Sequence, residues 1–172
     1  MTDATAPQPM DAPAPDPDHA DATDTDDVAT DAMPSALEGK AEVDPHGLGA
    51  AIAKLSTESQ DEGFAAFAVL SAFLADGERV DVLVQGRFQG ESAAMAATNQ
   101  RVLIANARQW RADVVEFVFG PTLQVQGWQD DQTAALVVQD DHFTATFDQI
   151  LDRTTAQQLA AVVRARAESL AP

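Results

Sequence analysis

The large apolar side chains of this chain are unevenly placed, and that limits where it can fold. Residues 1–35 are mainly Ala, Asp, Pro and Thr and contain no Phe, Trp, Tyr, Ile or Leu. Ordering a backbone costs about 1–2 kcal/mol per residue, and such a segment has no apolar burial to offset it. A disordered acidic Ala/Asp/Pro tail is therefore expected over residues 1–45, a helical lead-in over 46–77 and a β-rich domain over 78–172. A second folded domain would leave both cores too small, since domains usually hold about 100–150 residues.

The formal net charge is −18: residues 1–46 carry twelve acids against Lys40, and the remainder sixteen acids against nine bases. Phosphate backbones and anionic bilayers attract clustered Lys and Arg, so neither nucleic-acid nor membrane binding is expected. The chain has no cysteine, which excludes a disulfide framework, a thiol nucleophile and a thiolate metal site. The first residues show no basic n-region with an apolar run, and nothing later approaches the roughly 20 apolar residues of a membrane span. A cytoplasmic location is the expectation.

Between Pro45 and Gly77 the pattern is helical. Leu48, Ile52 and Leu55 support one short helix, and Phe64, Phe67, Leu70, Phe73 and Leu74 make an apolar stripe on a longer one, with Gly77 as its C-terminal cap. The stripe packs on a sheet or, with Phe64 and Phe67 exposed, meets a partner. From Arg79 the period drops to two. Val80, Val82 and Val84 lead into the turn-rich GRFQGE, and a weaker strand runs from Ala93 to Ala97. RVLIA follows, then a strand with Val115, Phe117 and Phe119 on one face. Leu123 and Val125, Ala135 to Val138, and Phe143, Ala145 and Phe147 carry three more. A final helix begins near Thr154, whose hydroxyl and Gln157 suit a capping box. Leu159, Val162, Val163 and Leu170 form its buried stripe, leaving Arg153, Arg164 and Arg166 in water. The expected class is mainly β (α+β): a seven-stranded antiparallel sandwich or open barrel with one or two short helices before it and a helix closing it.

LADGERVDVLVQGRF (74–88), ATNQRVLIAN (97–106) and FDQILDRTTAQQLAAVVRA (147–165) carry a more particular signal. Over residues 64–168 the chain resembles the short bacterial pleckstrin-homology-like (PH-like) family, through Gly77-Glu78, through Thr98-Asn99-Gln100-Arg101 and through Phe147-Asp148-Gln149-Ile150. The resemblance implies a PH-like fold, a scaffold that hosts lipid, peptide and protein binding alike. Thr98 and Asn99 are turn formers, and Arg101 at a strand edge is placed to pair with acids or carbonyls opposite. Arg87 is the one base expected in the loop after the first strand, beside Glu91.

Candidate chemistry is sparse. His142 follows Asp140 and Asp141, a grouping that suits either a metal or, more simply, a solvated hairpin turn. The aspartates from Asp24 lack the glycine and glutamate that a calcium loop requires. No P-loop, dinucleotide fingerprint or H-E-x-x-H occurs. No enzyme activity, metal or cofactor is implied. Trp128 is read as capping the core, whereas Trp110, between Arg108 and Arg111, has the composition of a contact anchor. The function expected is a non-enzymatic protein- or peptide-interaction module with an unknown protein partner. Its candidate contacts are Arg87, Arg101, Trp110, Arg111, Phe64 and Phe67, and self-association into a homo-oligomer would use the same surfaces. The alternative is a barrel binding a small hydrophobic ligand or lipid headgroup, with room left by the alanines at 93, 94, 96 and 97.

Overall fold

Short hairpins give the chain its sheet. A computed structural model describes residues 44–108 and 111–170. Two helices come first, α1 (Leu48–Ile52) and α2 (Thr57–Ala72). Four strands follow, β1 (Val80–Phe88), β2 (Glu91–Thr98), β3 (Arg101–Arg108) and β4 (Arg111–Val118). After them come β5 (Gln124–Gln129), β6 (Ala134–Gln139), β7 (Thr144–Ile150) and the helix α3 (Arg153–Ser169). Gln89 and Gly90 join β1 to β2 with φ of 56° and 82°, the doubly left-handed turn whose twist matches the flanking strands.

All pairings are antiparallel, in the order β4-β3-β2-β1-β7-β6-β5. Two meanders thus meet at the β1–β7 pair, where Arg87 faces Asp148 and Phe88 faces Phe147. Gly86 permits that crossing: a Cβ there would lie 2.5 Å from the Asp148 carbonyl oxygen and 2.7 Å from the Phe147 ring. The sheet curls strongly. Strands four places apart in a flat sheet would be about 19 Å distant at the usual spacing. Yet the ring of Phe117 on β4 lies 5.9 Å from that of Phe143 in the β6–β7 turn.

Curling buries one face against α3 and leaves the other for α2. Val84, Met95, Ile104, Phe117 and Phe147 fill the inside with Leu159 and Val163 of α3. Leu83, Ala94, Ala96 and Leu103 line the outside under Ala66, Phe67 and Leu70 of α2. Central residues of β1 to β3 are therefore buried at consecutive positions, although their side chains still alternate between the two cores. The alanines expected to leave the barrel hollow are closed over: Ala93 and Ala97 face the inner core, Ala94 and Ala96 the outer, all without exposure.

Seven antiparallel strands in one sheet, the C-terminal helix and the helices before the sheet match expectation. Several details differ. The α2 stripe is rotated: Ser59, Gly63, Ala66, Phe67 and Leu70 are buried, while Phe64 and Phe73 are 76% and 49% exposed. Small residues face the sheet because a Cβ on Gly63 would strike the Phe67 ring at 2.3 Å and Gln85 at 2.9 Å. Gly77 does not cap α2, which ends at Phe73; its φ of 76° serves the following turn, closed by Glu78 N–H to Ala75 O at 2.9 Å. Strand β1 runs on through Arg87 to Phe88, so GRFQGE is mostly strand.

Phe143 lies in a turn and is 44% exposed, and Trp128, on an edge strand, is exposed rather than capping the core. Helix α3 starts two residues earlier than the Thr154 cap requires, with Asp152 at its N-cap position and no side-chain cap bond. Asp152 Oδ1 instead accepts the Ser56 N–H at 3.0 Å, tying the start of α3 to the start of α2. Leu170 is exposed. Of the three arginines expected in water, Arg164 is exposed, whereas Arg153 donates to Asp130 O at 2.7 Å and Arg166 to Asp81 and Thr98 O.

Candidate functional site

The motif residues form a latch. Glu78 is fully buried and a buried carboxylate needs its lone pairs filled. Arg101 grips it with both arms, Nε to Oε1 at 3.0 Å and NH2 to Oε2 at 2.9 Å. Thr98 Oγ1 donates to Oε1 at 2.7 Å and the Ala75 N–H to Oε2 at 2.9 Å. Burial alone would raise the Glu78 pKa; the donors from Arg101, Ala75 and Thr98, with the guanidinium charge, outweigh it and hold the pKa below the ordinary 4.5. Thr98 Oγ1 also accepts the N–H groups of Gln100 and Arg101, and Asn99 Oδ1 accepts that of Arg79 at 2.8 Å. Arg101 further reaches Phe73 O, at the end of α2, and Glu116 on β4. Its donors are thus engaged within the chain, joining the end of α2, the turn before β1 and β4.

A second group gathers at the β1–β2 and β3–β4 hairpins. Arg87 lies on β1 and donates to Gln149 Oε1 at 3.0 Å and Gly90 O at 3.1 Å. Arg108 donates to Gln89 Oε1 at 2.8 Å and pairs with Asp113 at 3.4 Å. Arg111, 87% exposed in its side chain, lies 3.7 Å from the same carboxylate. The single Asp113 carboxylate thus sits between two of these three cations and cancels one of their charges. Trp110 lies outside the described residues.

Phe64 and Phe67 come together in a third place. The ring of Phe67 is buried between α2 and the sheet, and Phe64 stands in solvent above it. Both line a cleft of about 610 Å³ with Leu48 and Ile52 of α1.

The fourth place was not anticipated. Among the described residues, edge strand β5 pairs only with β6. The β5–β6 hairpin closes with Asp130 N–H to Thr133 O at 2.9 Å. By the alternation of antiparallel ladders, Gln124, Gln126 and Trp128 bond to β6, while the backbone groups of Val125, Gly127 and Gln129 point away from it. One of them, Val125 O, is met by Arg164 Nε of α3 at 3.4 Å. Two clefts run between β5 and α3. One of about 190 Å³ lies over Gly127, Leu136, Ala156 and Ala160, and one of about 360 Å³ over Leu123, Val125 and Ala167; Arg164 lines both. The first is open because Gly127 has no side chain: a Cβ there would meet Leu136 Cδ2 at 2.8 Å. Glycine and tryptophan side by side in a glutamine-rich strand, QVQGWQ, are the sequence trace of this place.

The His142 turn is built for backbone satisfaction. Asp140 Oδ1 accepts the N–H groups of His142 and Phe143, each at 2.8 Å, and these lower the Asp140 pKa. Asp130 does the same for Thr133 and Gln132. Among the described residues no helix is long and apolar enough to cross a membrane.

No family model and no curated protein matches the chain. Among solved structures it is similar to the crystal structure of a pleckstrin homology domain from Shewanella amazonensis SB2B, at 18% identity and a TM-score of 0.41, over 62% of this chain and 98% of that one.

Proposed function

We propose that the chain is a non-catalytic PH-like interaction module, and that it takes an extended segment of a partner protein along β5. The observation that carries this reading is the row of outward backbone groups at Gly127 and Gln129, with the outward N–H of Val125, whose carbonyl Arg164 holds, and an apolar cleft beside them. A strand added to such an edge gains main-chain hydrogen bonds, and pockets for alternate side chains supply selectivity. The Gly127 cleft has the size for one modest apolar side chain. Arg164, between the two clefts, favours a carboxylate on the same segment. Exposed edges are normally guarded by charge or proline; β5 holds neither.

The barrel-carrier alternative has less behind it, because Met95, Ile104, Phe117, Phe147, Ile150 and Leu159 occupy the interior with almost no exposure. A photocrosslinking residue placed at Gln126 of the full chain, in its native cell, tests the proposal against the same residue at the exposed Thr146 of β7. A discrete protein adduct from position 126 alone is expected. Identical adducts from both positions, or none from 126, would overturn it.

A further inference from the structure

The helical lead-in carries a surface that the β5 reading leaves unused. The cleft beside Phe64 continues into a second of about 530 Å³, because both are lined by Leu48, Ile52 and Ser71. Together they make one groove along the α1–α2 junction. Its floor is apolar, and at its rim stands Phe64, 76% exposed. An aromatic side chain so exposed gains about 25 cal/mol for each Å² that a partner covers.

Charge narrows the occupant. Residues 44–72 hold Asp44, Glu58, Asp61 and Glu62 against the single base Lys54, and Asp44 and Asp61 line the groove itself. A second copy would bring the same acidic rim and repel it. An anionic membrane surface would be repelled likewise. A cationic partner is drawn in, and its encounter is steered by the negative field.

Backbone chemistry narrows it further. The walls are helices, whose backbone groups are bonded within each helix apart from the ends. An extended segment laid here would bury N–H and C=O groups with nothing to receive them. A helix brings its own hydrogen bonds and presents apolar side chains one and two turns apart. We infer that the α1–α2 groove docks a basic amphipathic helix of a partner protein, with Phe64 as the aromatic contact and Asp61 as an ionic one.

The test uses a synthetic amphipathic peptide of about 18 residues, five turns, with leucines on one face and lysines on the other. It is titrated into the isotope-labelled full chain. Saturable binding is expected, with the largest NMR shifts at Leu48, Ile52, Phe64 and Phe67. Phe64→Ala and Asp61→Lys should each weaken binding about ten-fold or more. Phe64 is exposed, so its variant keeps the fold. A peptide with glutamate in place of lysine should not bind, and Arg164→Ala, which removes the exposed side chain lining both β5 clefts, should leave affinity unchanged, separating this site from the β5 proposal. Equal affinity for wild type and Phe64→Ala, or shifts confined to residues 1–43, would mean bulk charge attraction and overturn the inference. So would a concentration-dependent dimer abolished by Phe64→Ala, which would assign the groove to a second copy.

Discussion

The guanidinium of Arg101 holds the fully buried carboxylate of Glu78 at both oxygens, 3.0 and 2.9 Å away. These residues stand 23 apart in the chain, and the pair fixes the end of α2 against the sheet. Breaking a buried pair from one side strands a charge, which usually costs about 3–5 kcal/mol. Arg101→Ala should therefore destabilise by about that much in denaturant unfolding, and replacing both residues with methionine should be milder than the single change. A loss below about 1 kcal/mol for Arg101→Ala would show the pair to be peripheral.

The same pair predicts a pH dependence. Glu78 has a folded pKa below its ordinary value, so its stabilisation is complete above about pH 4.5 and is lost as pH falls through the folded pKa. Thermal unfolding of wild type and Glu78→Gln should differ most near neutral pH and converge in acid. Asp130 and Asp140 are also depressed, but they act equally in both proteins and drop out of the difference. A gap that stays constant with pH would contradict the ionised latch.

Phe117 and Phe143 touch, yet one is fully buried and the other 44% exposed. Phe117→Ala should cost about 3–5 kcal/mol, the usual loss for a buried aromatic. Phe143→Ala should cost less than half of that. Equal losses would place Phe143 inside.

The number of strands, their succession along the chain and the final helix were legible because each rests on local signals: period-two runs, turn residues and one amphipathic stretch. The latch was half legible, since Thr98 and Asn99 announce a turn but Glu78 does not announce its burial. What lay beyond reach depends on remote neighbours. Which face of α2 meets the sheet is decided by Gly63 against Gln85, not by the large residues of α2. Arg166 reads as a solvated helix residue, but its partner Asp81 is 85 positions earlier. The β5 cleft exists only because Gly127 meets Ala156 and Ala160 across the fold.

Membrane binding separates charge from fold analogy. Arg87, Arg108 and Arg111 gather at neighbouring hairpins, but the Asp113 carboxylate shared by two of them cancels one charge, and each uncompensated base adds only about 1 kcal/mol at an anionic surface. The full chain should not sediment with vesicles containing anionic or phosphorylated inositol lipids. Salt-sensitive sedimentation lost on Arg87→Ala or Arg111→Ala would reverse this conclusion.

The most direct test of the interaction-module proposal is amide hydrogen exchange of the full chain, alone and with the protein captured by crosslinking at Gln126. Alone, the amides of Val125, Gly127 and Gln129 should exchange much faster than those of Gln126 and Trp128, which bond to β6. With the partner bound, the three should slow selectively. Equal protection along β5 in the free chain, or slowing elsewhere with those three unchanged, would contradict strand addition at this edge.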